Sequence, residues 1–172
     1  MSGIFYRGLR NACTILIASI ALAGQALAVD VVTTEKDADG WKLKVNGNDF
    51  YVKGVVWGYT PRDQNYNYNL WGEPDEFIKK VLDYEMGLLS AAGVNSIRSF
   101  NIMPPKWVNY VYREYGIMVV INPLVGRYGY MVDGKWIEFT DYSDPRTREV
   151  LKRDTLAIID AYKNVEGVLM FA

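Results

Sequence analysis

Arg98 closes an apolar segment, Val94-Asn95-Ser96-Ile97, and so places a fixed cation at a strand tip, where parallel-sheet folds build their sites. The competing reading is an ordinary strand-end arginine paired with a structural acid. Trp57 and Tyr59 end another apolar segment and are candidates either for a stacking platform or for core and rim packing; Phe100 and Asn122 are further strand-tip candidates. Tyr66, Tyr68 and Trp71 alternate with asparagines. Aromatic faces beside amides suit sugars, which offer C–H faces and hydroxyl edges, but a loop packing its own aromatics has the same composition. Arg127, Tyr128 and Trp136 carry the same two readings. Asp141 and Asp144 are close enough in sequence to suggest general acid/base work. However, Asp144 reads better as a helix cap and Asp141 as a turn acid, and no histidine exists to complete a proton relay. Glu85, Glu114 and Glu149 fall inside helices and read as surface charges. The absence of histidine also argues against a zinc site, and no metal or cofactor is expected.

The first 28 residues read as an export signal. Arg7 and Arg10 form a positive start, Ile15 to Ala23 an apolar stretch, and Ala26-Leu27-Ala28 a small-x-small cleavage site. The apolar stretch falls short of the roughly 20 residues that span a bilayer, so no stable membrane insertion is expected after cleavage. Cys13 is the single cysteine and lies before the apolar stretch, so residues 29–172 have no disulfide, and a periplasmic or secreted location is expected. The whole chain has 19 Lys+Arg against 20 Asp+Glu, and loss of Arg7 and Arg10 leaves 17 against 20. That balance argues against a nucleic-acid partner.

The elements that must position these residues follow from spacing. Residues 29–40 are polar and read as a flexible lead-in. Trp41 to Val45 alternates as a half-buried strand, Asn46-Gly47 marks a tight turn, and Phe50 to Val52 returns from it into a buried strand, Gly54 to Trp57. Pro74 opens a helix with apolar positions at Phe77, Val81, Leu82, Leu88, Leu89 and Ala92, ended by Gly93. A strand from Val94 to about Phe100 follows. A second helix starts at Pro104-Pro105, carries Trp107, Val108, Val111, Tyr112 and Tyr115, and ends at Gly116. A third strand reaches Asn122. Asp133-Gly134 suggests a small hairpin within a long loop. Asp144-Pro145 opens a third helix, and a fourth strand begins after Gly167. The order is βαβαβαβ behind a hairpin, which means a parallel sheet with right-handed crossovers. No Gly-x-Gly-x-x-Gly follows the first strand, so a dinucleotide site is not expected. Both an open doubly wound sheet and the first half of an eight-fold barrel fit. Long loops after strands one and three, with short returns, favour the barrel.

Several segments resemble clan A glycoside hydrolases, the group that includes families 2 and 5. They are Val45 to Trp57 (hairpin and first strand), Ala91-Ala-Gly-Val-Asn-Ser-Ile-Arg98 (first helix into second strand), Tyr115 to Pro123 (third strand) and Arg146 to Ala172 (third helix into fourth strand). The resemblance spans residues 41–172 and implies a (β/α)8 barrel acting on a β-linked oligo- or polysaccharide. In that family two glutamates do the chemistry, one at the end of strand four and one at the end of strand seven. In retaining enzymes the two carboxyls stand about 5–5.5 Å apart. The resemblance implies that Arg98 supports the nucleophile carboxylate, and that the sugar subsites draw on Trp57, Tyr59, Arg98, Phe100, Asn122 and Tyr128. Neither glutamate falls within the chain, so the expectation is an N-terminal portion of an exported glycosidase, inactive alone. The alternatives are a non-catalytic carbohydrate-binding half barrel, which could self-associate through its open edges, and an inactive truncated product.

Overall fold

The computed structural model describes residues 29–172. The expected export signal and its cleavage site lie outside the described residues. In chain order the elements are β1 (Val32–Asp37), β2 (Gly40–Val45), β3 (Asn48–Asp49), β4 (Gly54–Trp57), α1 (Asp75–Ala91), β5 (Ser96–Ser99), α2 (Pro105–Tyr115), β6 (Met118–Ile121), β7 (Tyr130–Val132), β8 (Lys135–Ile137), α3 (Pro145–Tyr162) and β9 (Val168–Phe171).

The segment expected to be a flexible lead-in is instead largely a strand: β1 pairs antiparallel with β2 along its whole length. The sequence Val-Thr-Thr-Glu-Lys-Asp shows no apolar alternation because five of its six residues are exposed. Cross-strand ion pairs accompany the pairing, Lys42 with Asp37 at 2.5 Å and Lys44 with Glu35 at 3.0 Å. Asp30 pins the segment from below, accepting from Asn46 Nδ2 at 2.8 Å, the Tyr112 hydroxyl at 2.9 Å and the Gly167 amide at 3.1 Å. The β2–β3 turn has Asn46 at φ 52° and Gly47 at φ 79°, the doubly left-handed turn that Asn-Gly favours. The returning strand covers Asn48–Asp49 and not the expected Phe50 to Val52, of which the Phe50 amide still donates across to the Leu43 carbonyl at 2.8 Å.

The four-stranded sheet runs β4-β5-β6-β9, all parallel and in chain order. One buried cluster joins Trp57, Ile97, Val119 and Ile121 of the strands to Ile78, Val81, Leu82 and Met86 of α1, Val108 and Val111 of α2, and Tyr162 of α3. Burying each aliphatic side chain of this kind stabilises the fold by about 1.5–3 kcal/mol. The stripe of α1 differs from the expected one. Ile78 and Met86 are buried, whereas Phe77 and Leu88 face solvent, because α1 has more apolar residues than one face can hold. The strand β4, expected to be buried, is an edge: Val56 is 64% exposed and only Trp57 is covered.

Val56, Arg98, Val120 and Met170 stand in register across the four strands. This row alternates with the helix-facing residues Trp57, Ile97, Val119 and Ile121 and so belongs to the opposite sheet face. Leu169 is an extra residue in β9, since Val119 pairs with Val168 and Val120 with Met170.

The expected caps hold. Gly93 and Gly116 are left-handed at φ 81° and 67°. The amide of Gly93 donates to Ser90 and that of Val94 to Leu89, closing the end of α1. Asp144 caps α3, its carboxylate accepting from the Arg146 amide at 3.0 Å and the Thr147 hydroxyl at 3.0 Å.

Candidate active site

Strand direction decides where a site can form. The C-terminal tips of β4, β5 and β6 lead into the 58–72 loop, Phe100-Asn101 and the 122–128 loop, and these enclose a cleft of about 720 Å³. Arg98, Phe100, Asn122 and Tyr128 all line it, joined by Tyr66 and Tyr68. Four of the six expected substrate-binding residues are therefore brought together.

Arg98 is half-buried at the base of the cleft. Asn122 is 6% exposed, and with its amide in the orientation that satisfies both neighbours, its oxygen accepts from Arg98 Nη2 at 3.1 Å and its nitrogen donates to the Ala172 carbonyl at 3.0 Å. This amide ties the tip of β5 to that of β6 and holds the guanidinium from one side. The Phe100 amide donates to the Trp57 carbonyl at 2.8 Å, which continues the β4–β5 pairing one residue past the strands. Phe100 sits hard against Gly58, where an added Cβ would come within 3.0 Å of its side chain. Phe100 is left exposed.

Trp57 and Tyr59, the other two expected residues, do not line the main cleft. Trp57 is 7% exposed, and its indole Nε1 donates to Glu85 Oε2 at 2.6 Å. It packs against Trp71 at 6.1 Å between centroids. The physical reason is strand alternation: Trp57 points to the helix side, one residue from the row that contains Arg98. Trp57 is core, and Glu85 is its buried-side partner rather than the surface charge expected from its helical position. Tyr59 packs edge-on against Tyr68 at 6.0 Å and Phe77 at 6.3 Å, supporting the loop. Tyr68 in turn donates its hydroxyl to Glu73 at 3.0 Å. Burial, reinforced by that carboxylate, raises the Tyr68 phenol above its ordinary value and keeps it protonated.

Asp141 accepts from the Ser143 amide at 2.8 Å and the Ser143 hydroxyl at 2.6 Å. These hydrogen bonds hold it below the usual carboxylate range, and the Arg146 amide does the same for Asp144. The two acids are a turn acid and a helix cap, and neither lines the cleft.

Two of the asparagines that alternate with Tyr66, Tyr68 and Trp71 in the sequence, Asn67 and Asn69, line the cleft. Sequence reasoning missed Asn101, which joins them from the tip of β5. Among the described residues, no Asp or Glu lines the cleft, no group of three or more His, Cys, Asp or Glu could hold a metal ion, and no helix is long and apolar enough to cross a membrane. The arrangement can bind a hydroxyl-rich ring by stacking and amide hydrogen bonds around a fixed cation.

No protein-family model and no curated protein matches the chain. Among solved structures it is similar to a β-glucuronidase from Ruminococcus gnavus in complex with C6-substituted uronic isofagomine, with 17% identity and a TM-score of 0.48 over 83% of this chain and 21% of that one. A second Ruminococcus gnavus β-glucuronidase structure is similar at 17% identity and a TM-score of 0.47, over 83% of this chain and 23% of that one. The chain thus spans less than a quarter of the length of these glycosidases, and the likeness assigns no residue a role.

Proposed function

We propose that this chain is the N-terminal portion of an exported glycoside hydrolase, in which β4, β5, β6 and β9 are the first four strands of a (β/α)8 barrel. The observation that carries the reading is the cleft at the strand tips, where Arg98 and Asn122 meet beneath Tyr66, Phe100 and Tyr128. Strand order supports the barrel over a doubly wound sheet. The strands lie in chain order without a reversal, and the clustered core joins all three helices to one face. In this reading the row Val56, Arg98, Val120 and Met170 faces the barrel interior. Residues 1–28 serve as the export signal, and the product is periplasmic or secreted.

The reaction is hydrolysis or transfer at a β-glycosidic bond. One carboxyl protonates the leaving oxygen while another attacks the sugar; in this reading they stand at the ends of strand four and strand seven, outside the described residues. Arg98 keeps the attacking carboxylate ionised and oriented. The test has two parts. In the 172-residue chain, β-linked oligosaccharides should perturb the amide resonances of Tyr66, Phe100 and Asn122 without being cleaved; perturbation elsewhere, or none, would count against the cleft. In a gene product extending past the fourth strand, a Glu→Gln change at an Asn-Glu pair on that strand should abolish turnover. A product with no glutamate at strand four or strand seven would overturn the enzymatic reading. The aromatic and amide lining of the cleft supports a second reading as well, a binding module that stacks sugars without cleaving them.

A further inference from the structure

We propose that Arg127, stacked on Tyr128, makes the outer end of this cleft a subsite for a uronic-acid residue, so that the glycan taken is an acidic one. The inference rests on the cleft being a glycan site. Its starting point is charge. The lining includes two guanidinium groups and, among the described residues, no carboxylate, in a chain whose acids outnumber its bases. Hydroxyls and C–H faces are served by the amides and rings already present, so a second exposed cation implies an anion on the ligand.

Geometry separates the two cations. Arg98 is half-buried at the strand tip and engaged by Asn122, the place suited to a carboxylate of the protein. Arg127 lies on the loop beyond β6 and is exposed, with its Cζ 5.4 Å from the centroid of the Tyr128 ring. A guanidinium laid on an aromatic face keeps its in-plane N–H edge free, and that edge matches a carboxylate in a two-bond fork.

The loop is also built to hold this position. Leu124, Val125 and Gly126 are consecutively left-handed, at φ 61°, 36° and 75°. For a β-branched residue such a conformation is costly and persists only where the surroundings enforce it. Here the Tyr142 hydroxyl donates to the Val125 carbonyl at 3.0 Å and the Thr140 hydroxyl to the Gly126 carbonyl at 2.5 Å.

The experiment titrates the 172-residue chain with two β-linked disaccharides that differ only at C6 of one ring, carboxylate against hydroxymethyl, at low and high salt. The acidic sugar should bind at least about tenfold tighter at low salt. Arg127→Gln should remove that preference, bringing the acidic and neutral sugars to similar affinity, while Arg127→Lys, which keeps the charge but not the fork, should retain part of it. Circular dichroism checks that each variant keeps the fold. Equal or tighter binding of the neutral sugar overturns the acidic subsite while leaving the glycan cleft standing. A preference that survives Arg127→Gln overturns the assignment to Arg127. Failure of both sugars to bind overturns the subsite and the cleft together.

Discussion

Asp83 shows how one carboxylate organises a helix pair. It receives Lys79 Nζ at 2.7 Å and the Tyr115 hydroxyl at 2.8 Å, and the Tyr110 hydroxyl also donates to it. The Lys79 ammonium, followed by the two phenols, lowers its pKa from 3.8 to about 2. A carboxylate whose folded value lies below its unfolded one stabilises the fold above the unfolded value, and loses that contribution as pH falls through the folded value. The difference in urea midpoint between the parent chain and Asp83→Asn should therefore be full above about pH 4 and shrink between about pH 4 and 2. A difference that stays constant across that range would show that the ionised form is not what matters. The same scale explains what was legible at the site. Arg98 and Asn122 stand out in the sequence because each is a polar group ending an apolar strand. Trp57 ends its strand in the same way, yet belongs to the core. Which face of β4 meets α1 is settled by packing and not by the run Gly-Val-Val-Trp.

At the scale of elements, local signals were the readable ones. Gly93, Gly116, Asn46-Gly47, Asp133-Gly134 and Asp144-Pro145 each act within a few residues, and each is found where its backbone preference requires. Removing the cap of α3 by Asp144→Ala should cost about 1 kcal/mol and speed hydrogen exchange at Arg146 and Thr147, with α1 and α2 unaffected. Strand β1 was not legible. Its six residues carry no apolar face, and its pairing depends on charges supplied by β2 and on Asp30 reaching residues more than 80 positions away. The stripe of α1 was legible only in part. Phe77 and Leu88 are as apolar as Ile78 and Met86, so periodicity could not choose between two offset faces.

For the whole molecule, the repeat of helix, glycine and apolar run conveyed both the parallel order and the open edges of a half barrel, while which side chains those edges expose is seen only in the assembled fold. Val55 and Val56 at one edge and Met170 and Phe171 at the other are exposed, and both edges offer unpaired backbone groups. The chain should self-associate as its concentration rises. Val56→Lys should shift its sedimentation toward the monomer without lowering the thermal midpoint, whereas unchanged association would place the contact elsewhere. The Asp30 clasp has a bearing on orientation. It seats the start of the described chain beside Gly167, where β9 begins, while the cleft opens where the strands end. A chain tethered at residue 29, to a sensor chip or a bead, is thus held by its base and presents the cleft outward to the medium.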